Sequence, residues 1–177
     1  MENQKISAKQ IMINYGLLLA FVGIVISLIN FSFGNIYKPH WSVQVISTLV
    51  LVAFVIFGIK KLKEANGGLL TLGEAIKTGI GITFVAAIIS IIYFYVFANF
   101  IEPNFVHNFI DVQRQTMLEK MPDISDEILT KQAEMTQKYF YIFSIGGIIF
   151  YNLFLGFVIS LITGLVMKKT DEEITSI

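Results

Sequence analysis

Four long apolar runs dominate the pattern of hydrophobic and polar positions along the chain. They cover about residues 11–33, 43–59, 78–101 and 139–167, and none of them contains a charged residue. A helix needs about 20 apolar residues to cross the hydrocarbon core of a bilayer, and the second run is at the lower limit of that range. The pattern therefore predicts four membrane-spanning helices.

The segment between the second and third runs carries the signals that end one helix and begin the next. Asn66, Gly67 and Gly68 follow a lysine-rich helix end, and the first two can adopt the left-handed conformation that terminates a helix. Thr71 and Glu74 have the spacing of a capping box, in which each side chain accepts a backbone N–H of the other residue. We predict that this segment is a hinge between two helical hairpins.

The segment at about 104–138, between the third and fourth runs, is the one sizeable part of the chain outside the predicted spans. Apolar residues recur there at helical spacing, Pro122 divides the segment, and Ser125 can cap its second half. We expect a helical hairpin that prolongs the third and fourth spanning helices. The predicted fold is an all-α integral membrane four-helix bundle, with residues 1–177 forming a single membrane domain.

Lysine and arginine are distributed unequally between the two ends of the predicted bundle. One end carries Lys5, Lys9, Lys60, Lys61, Lys63, Lys77, Lys168 and Lys169. The basic residues of the other end are mostly diluted within the long, acidic hairpin, and an acidic tail, Asp171 to Glu173, follows the last span. By the positive-inside rule, both termini are expected in the cytoplasm and the hairpin outside the cytoplasmic (inner) membrane.

Aromatic residues cluster at the predicted outer boundary, as expected for an interfacial belt. They are Phe31, Phe33, Tyr37, Trp41, Phe97, Phe100, Tyr139 and Tyr141.

The composition agrees with a membrane protein and removes several kinds of chemistry. Hydrophobic residues make up 55% and charged residues 15% of the chain, against about 25% charged in soluble domains. The formal net charge is zero, so no basic field points to nucleic acid. Cysteine is absent and there are two histidines, which excludes disulfides, thiolate chemistry and histidine-rich metal sites. We expect no cofactor.

Asn152 and Tyr151 are the candidate polar residues within the spans. Ionisable side chains inside a membrane usually mark ion or proton pathways, and their absence from all four runs disfavours ion-coupled transport. Asn152 either contacts a substrate or forms a hydrogen bond between helices, and the sequence favours the second interpretation. The same choice applies to Tyr151.

Small residues form stripes at four-residue spacing that allow helix backbones to approach closely. One stripe is Gly156, Ser160 and Gly164, another is Gly79, Thr83 and Ala87, and a shorter one is Gly16 and Ala20. They serve either packing within one bundle, which we favour, or homodimerisation.

Two further patterns are too weak to define a site. His107 and Asp111 lie four residues apart near Glu102, but two ligands at this spacing are more typical of a solvated helix face than of a metal site. The glycines at 67, 68 and 73 lack the rest of a phosphate-binding loop, and no serine nucleophile motif is present.

Three stretches together resemble a family of uncharacterised bacterial four-pass membrane proteins, domain of unknown function 4199. They are Lys60 to Gly79, Tyr93 to Phe105 with its Glu102-Pro103-Asn104-Phe105 ending, and Gly156 to Lys169. The resemblance implies four helices in a bacterial membrane and supplies no catalytic residues.

The leading hypothesis is a non-enzymatic protein of the cytoplasmic membrane that acts through helix or hairpin contacts. Its expected partners are the lipid bilayer and a second copy or another membrane protein. The alternative is a small transporter or channel subunit with a polar path near Asn152, and a membrane-embedded enzyme comes third.

Overall fold

The computed structural model describes residues 7–169, and within them it is all-helical. The helices are α1 (Ala8–Phe33), α2 (Trp41–Ala65), α3 (Leu72–Val96), α4 (Phe105–Lys120) and α5 (Asp126–Met167), with a π-helical turn at Phe97–Ile101. α1, α2, α5 and the helix formed by α3 with its π turn are each long and apolar enough to cross a membrane. This confirms the predicted all-α fold with four candidate spans, while Lys5 and the acidic tail from Asp171 to Glu173 lie outside the described residues.

The turn between α2 and α3 follows the predicted signals with one exception. Gly67 and Gly68 have φ values of +69° and +92°, a region that glycine enters without steric penalty. Asn66 stays at φ −87°, so the prediction that it adopts the left-handed conformation is wrong. The two glycines reverse the chain without it. Thr71 and Glu74 form the complete capping box, with the Glu74 N–H donating to Thr71 Oγ1 at 3.2 Å and the Thr71 N–H to Glu74 Oε2 at 2.8 Å.

The four long helices pack with α3 at the centre. α3 contacts α1, α2 and α5, and α2 also contacts α1 and α5. Within residues 7–169, the backbones of α1 and α5 do not approach each other closely. α2 and α3 therefore both lie between α1 and α5.

One end of the bundle holds residues 7 and 169 and is here called the terminal end. It is closed by contacts that α2 and the α2–α3 turn make with the C-terminal end of α5. Leu70 in the α2–α3 turn and Lys169, which follows α5, exchange two backbone hydrogen bonds of 2.9 Å each. The Lys63 ammonium donates to the Met167 carbonyl at 2.7 Å. A lysine thereby satisfies one of the carbonyls left free at the C-terminal end of α5.

At the opposite end, called the hairpin end, α5 extends far beyond the other helices. Its 42 residues span about 63 Å, roughly twice the 30 Å of a hydrocarbon core. α4 packs against the N-terminal part of α5, and the two form the α4–α5 hairpin. α5 is continuous with the fourth span, whereas α3 does not continue into α4, because the π turn and Pro103 interrupt the helix before α4 starts afresh at Phe105.

Candidate functional site

The two polar candidates of α5 have different environments. The Tyr151 hydroxyl accepts a hydrogen bond from Gln44 Nε2 at 2.9 Å and lies 2.8 Å from Thr48 Oγ1, so it joins α5 to α2. The Asn152 amide instead donates to the carbonyl of Ile148 in its own helix at 2.9 Å. The interhelical bond expected of Asn152 is therefore made by its neighbour. Gln44 and Thr48 were missed as partners, although they lie one helical turn apart within an apolar run.

The small-residue stripes of α3 and α5 face each other within the chain. A Cβ added to Gly156 would collide with Thr83, and one added to Gly79 would collide with Ser160. At the terminal end, a Cβ on Gly164 would lie 2.8 Å from the Cβ of Ala75. The α3–α5 seam is thus too close to admit another side chain atom at these positions.

Two hydroxyl groups of the seam, those of Ser160 and Thr83, are satisfied by their own helices. Ser160 Oγ donates to the Gly156 carbonyl at 2.6 Å, and Thr83 Oγ1 donates to the Gly79 carbonyl at 3.1 Å. Ala87, the last member of the α3 stripe, is also buried. These two hydroxyls therefore bond locally, whereas the buried Oγ1 atom of Thr78, also on α3, has no hydrogen-bond partner within residues 7–169.

The aromatic residues at the hairpin end divide into an inner cluster and an exposed set. Phe97 is only 2% exposed, and the ring centroids of Phe97 and Phe140 lie 5.6 and 6.0 Å from that of Phe105. Phe33 and Trp41 are 89% and 70% exposed, as expected for side chains at a membrane interface. The predicted belt therefore also supplies the core that fixes the hairpin to the bundle.

Polar contacts tie the α1–α2 loop to α4. Asn108 Nδ2 donates to both the Tyr37 hydroxyl and Glu102 Oε1, at 3.1 Å each. Burial raises the pKa of the Tyr37 phenol above its ordinary value, although the Asn108 hydrogen bond opposes this, and the Glu102 carboxylate raises it further. An exposed ion pair between Lys38 and Glu119, 3.8 Å apart, links the same loop to the end of α4. The base of the hairpin is thus held by side chains from three segments.

One side of the hairpin is charged. His107 and Asp111 lie 3.4 Å apart, and they line a groove of about 460 Å³ with Arg114 and Glu134. Glu102, which the sequence placed near this pair, is held by Asn108 instead. Between residues 7 and 169, no group of three or more His, Asp or Glu side chains is arranged to hold a metal ion.

Another face of the hairpin carries a larger and mostly apolar groove, here called the hairpin groove. It has a volume of about 620 Å³, within the range of about 300–1,000 Å³ typical of ligand sites. Its apolar lining is made by Phe109, Ile128, Met135, Tyr139, Phe140 and Phe143, and its polar lining by Gln113, Lys131, Gln132, Thr136 and Ser144. Lys131 is the one charged residue among these.

The sequence indicated the helical spacing of several lining residues, but it did not indicate that α4 and α5 leave space between them. The apolar periodicity that predicted the hairpin is the same whether α4 and α5 pack tightly or leave a groove between them. The sequence could therefore not distinguish the two arrangements.

The fold and these contacts define a multi-pass α-helical membrane protein with a helical hairpin at one end of its bundle. The family model described as "Protein of unknown function (DUF4199)" matches residues 14–169, and the chain belongs to that family. No curated protein and no solved structure matches the chain.

Proposed function

We propose that this chain is a non-enzymatic protein of the cytoplasmic membrane that acts through contacts made by its α4–α5 hairpin. The observation that carries the proposal is the hairpin groove, which is large and mostly apolar and is lined mainly by hairpin residues that precede the predicted fourth span at 139–167. An exposed apolar groove of this size is typical of a binding surface.

The charge distribution supports an orientation with the hairpin outside the cell and both termini in the cytoplasm. Lys60, Lys61, Lys63 and Lys77 flank the turn at the terminal end, and Lys168 and Lys169 follow α5 there. Cytoplasmic segments close to a membrane are enriched in lysine and arginine. The hairpin groove would then face the extracytoplasmic side.

The polar groups within the spans favour contacts over transport. Tyr151 binds Gln44, and the Asn152 amide donates to its own helix. The α3–α5 seam is closely packed, and the hydroxyls of Thr83 and Ser160 bond to their own helices. The alternative, a transport path near Asn152, would require these groups to turn toward a substrate.

The test places a photoreactive amino acid at Met135, inside the hairpin groove, in intact cells. The matched control is the same substitution at Gln137, two residues along α5, which lines the charged groove instead. We expect a discrete adduct from Met135 that Gln137 does not give.

A second variant, Thr136→Trp, fills the hairpin groove, and it should abolish the Met135 adduct. Its elution as a single species and its helix content serve as folding controls. Equal adducts from the two positions, or a Met135 adduct that survives Thr136→Trp, would contradict a function carried by the hairpin groove.

A further inference from the structure

The face of α5 that lines the hairpin groove continues without a break into the face that meets lipid. Ile128, Met135 and Tyr139 lie on this face in the hairpin, and Phe143 and Phe150 follow at helical spacing. Phe143 and Phe150 are 74% and 69% exposed, although both are large and apolar. No charged residue interrupts this face from Phe143 onward. The end of the groove at Phe143 therefore opens onto the surface that the bilayer covers.

The composition of this face favours a lipid chain over a second membrane-spanning helix as the occupant. Helices that associate within membranes use small residues at their interfaces, and the small residues Gly156, Ser160 and Gly164 of α5 are already packed against α3. The groove face instead carries phenylalanine, tyrosine, methionine and isoleucine. Bulky side chains of this kind are compatible with a flexible acyl chain and keep a second helix backbone at a distance.

The far end of the groove carries a positive charge suited to an anionic head group. Lys131 lines the groove 13 residues before Ser144, which places it about 20 Å farther from the bilayer along the helix axis. Within residues 7–169, Lys131 forms no ion pair. The nearby acidic residue Glu134 lines the charged groove on the other face. The side chains of Gln113 and Gln132 line the same groove and add hydrogen-bond donors.

From this arrangement we propose that the hairpin groove binds one long-chain fatty acid. Its carboxylate pairs with Lys131, and its chain runs along Met135 and Tyr139 toward the bilayer. A carboxylate is a small head group that a single lysine and two amides can satisfy. The proposal rests on the proposed function, in that it names the ligand of the same hairpin surface.

The experiment uses the full chain in vesicles of phosphatidylethanolamine and phosphatidylglycerol. The probe is a palmitate analogue with a diazirine at the middle of its chain, and adducts are mapped by mass spectrometry. Matched probes with an alcohol head group and with a lysophosphatidylglycerol head group test what the site recognises. Lys131→Gln removes the proposed partner of the carboxylate, and Lys120→Gln, at the end of α4 and outside the groove lining, is the control of equal charge.

We expect palmitate adducts between Ile128 and Tyr139, beyond the reach of bulk lipid, and their competition by unlabelled palmitate. Lys131→Gln should lower them by up to about fivefold, as for the loss of an exposed ion pair, whereas Lys120→Gln should leave them unchanged. Equal labelling by the alcohol, preferential labelling by lysophosphatidylglycerol, or adducts confined to Phe143 and beyond would each overturn the fatty-acid assignment.

The two proposals fail in different ways. In one outcome, the photoreactive residue at Met135 forms an adduct in cells with a protein or another molecule, Thr136→Trp abolishes that adduct, and palmitate does not label the hairpin. The fatty-acid assignment is then wrong and the binding function stands. If the Met135 adduct is also absent, both are wrong.

Discussion

Gly156→Ala is the most informative single change for the architecture, because it adds one methyl group at the tightest point of the α3–α5 seam. The added Cβ would collide with Thr83, whose β-branched side chain is stiff and is further held by its hydrogen bonds to the Gly79 and Ile80 carbonyls, at 3.1 Å each. The clash cannot be relieved by rotation of a long flexible side chain, so the helices must separate locally.

The expected magnitude follows from two opposing terms. Adding a methyl group to a close-packed core destabilises by about 1–3 kcal/mol, and replacing glycine by alanine in a helix stabilises by up to about 1 kcal/mol. Gly147 lies in the same helix, and a Cβ added there would meet no neighbouring atom within 4 Å. Gly147→Ala therefore reports only the stabilisation gained by replacing glycine with alanine in a helix. The difference between the two variants, which isolates the clash, should be about 1–3 kcal/mol.

The measurement is the free energy of unfolding of the full chain in detergent micelles for both variants and the parent. Gly156→Ala combined with Thr83→Ala should recover part of the loss, because the second change removes the Oγ1 and Cγ2 atoms that meet the new Cβ. Equal stabilities of the Gly156→Ala and Gly147→Ala proteins would refute the close seam.

Two further predictions concern the two ends of the bundle. Burial and Glu102 raise the pKa of Tyr37 above its ordinary 10.0, so the folded protein holds the phenol proton more tightly than the unfolded chain. The resulting stability is fully present below pH 10.0 and is lost as the pH rises through the raised pKa. In Tyr37→Phe the free energy of unfolding, measured at alkaline pH, should therefore depend less on pH. Lys63→Met removes the charged donor to the Met167 carbonyl and should destabilise the protein by about 1–3 kcal/mol. The control Lys60→Met, at an exposed position of the same helix, should change the free energy of unfolding by less than about 0.5 kcal/mol. Equal effects of the two substitutions would contradict a capping role for Lys63.

The spanning helices could be predicted closely because their signals are local. The apolar runs fix the existence of the four spans, and the capping box of Thr71 and Glu74 fixes where α3 begins. The end of α2 at Ala65 was predicted from the lysines and from Asn66 and Gly67, because the helix extends beyond its apolar run. A helix that leaves the membrane carries polar residues, and hydropathy does not mark its end.

The contacts between elements were harder to predict because they depend on how helix faces are oriented. The sequence identified the stripes of Gly156 and Gly79 but could not choose their partner helix. It named Asn152 and Tyr151 together, and Tyr151 makes the interhelical bond while Asn152 bonds to its own helix. Aromatic residues expected at the lipid interface include Phe97, which is buried. Periodicity predicts that a helix face is apolar. Only the packed structure shows whether that face contacts another helix, faces lipid or lines an open groove.

Cysteine accessibility tests the central claim, that the hairpin and its groove lie outside the membrane, most directly. The natural chain contains no cysteine, so Asp123→Cys, Met135→Cys and Asn66→Cys each introduce a single reactive site. With a membrane-impermeant maleimide on intact cells whose outer surface is accessible to the reagent, Asp123→Cys and Met135→Cys should be labelled, and Asn66→Cys should be labelled only after the membrane is opened. Labelling of Asn66→Cys in intact cells, with Asp123→Cys and Met135→Cys protected, would contradict both the orientation and the function proposed for the hairpin.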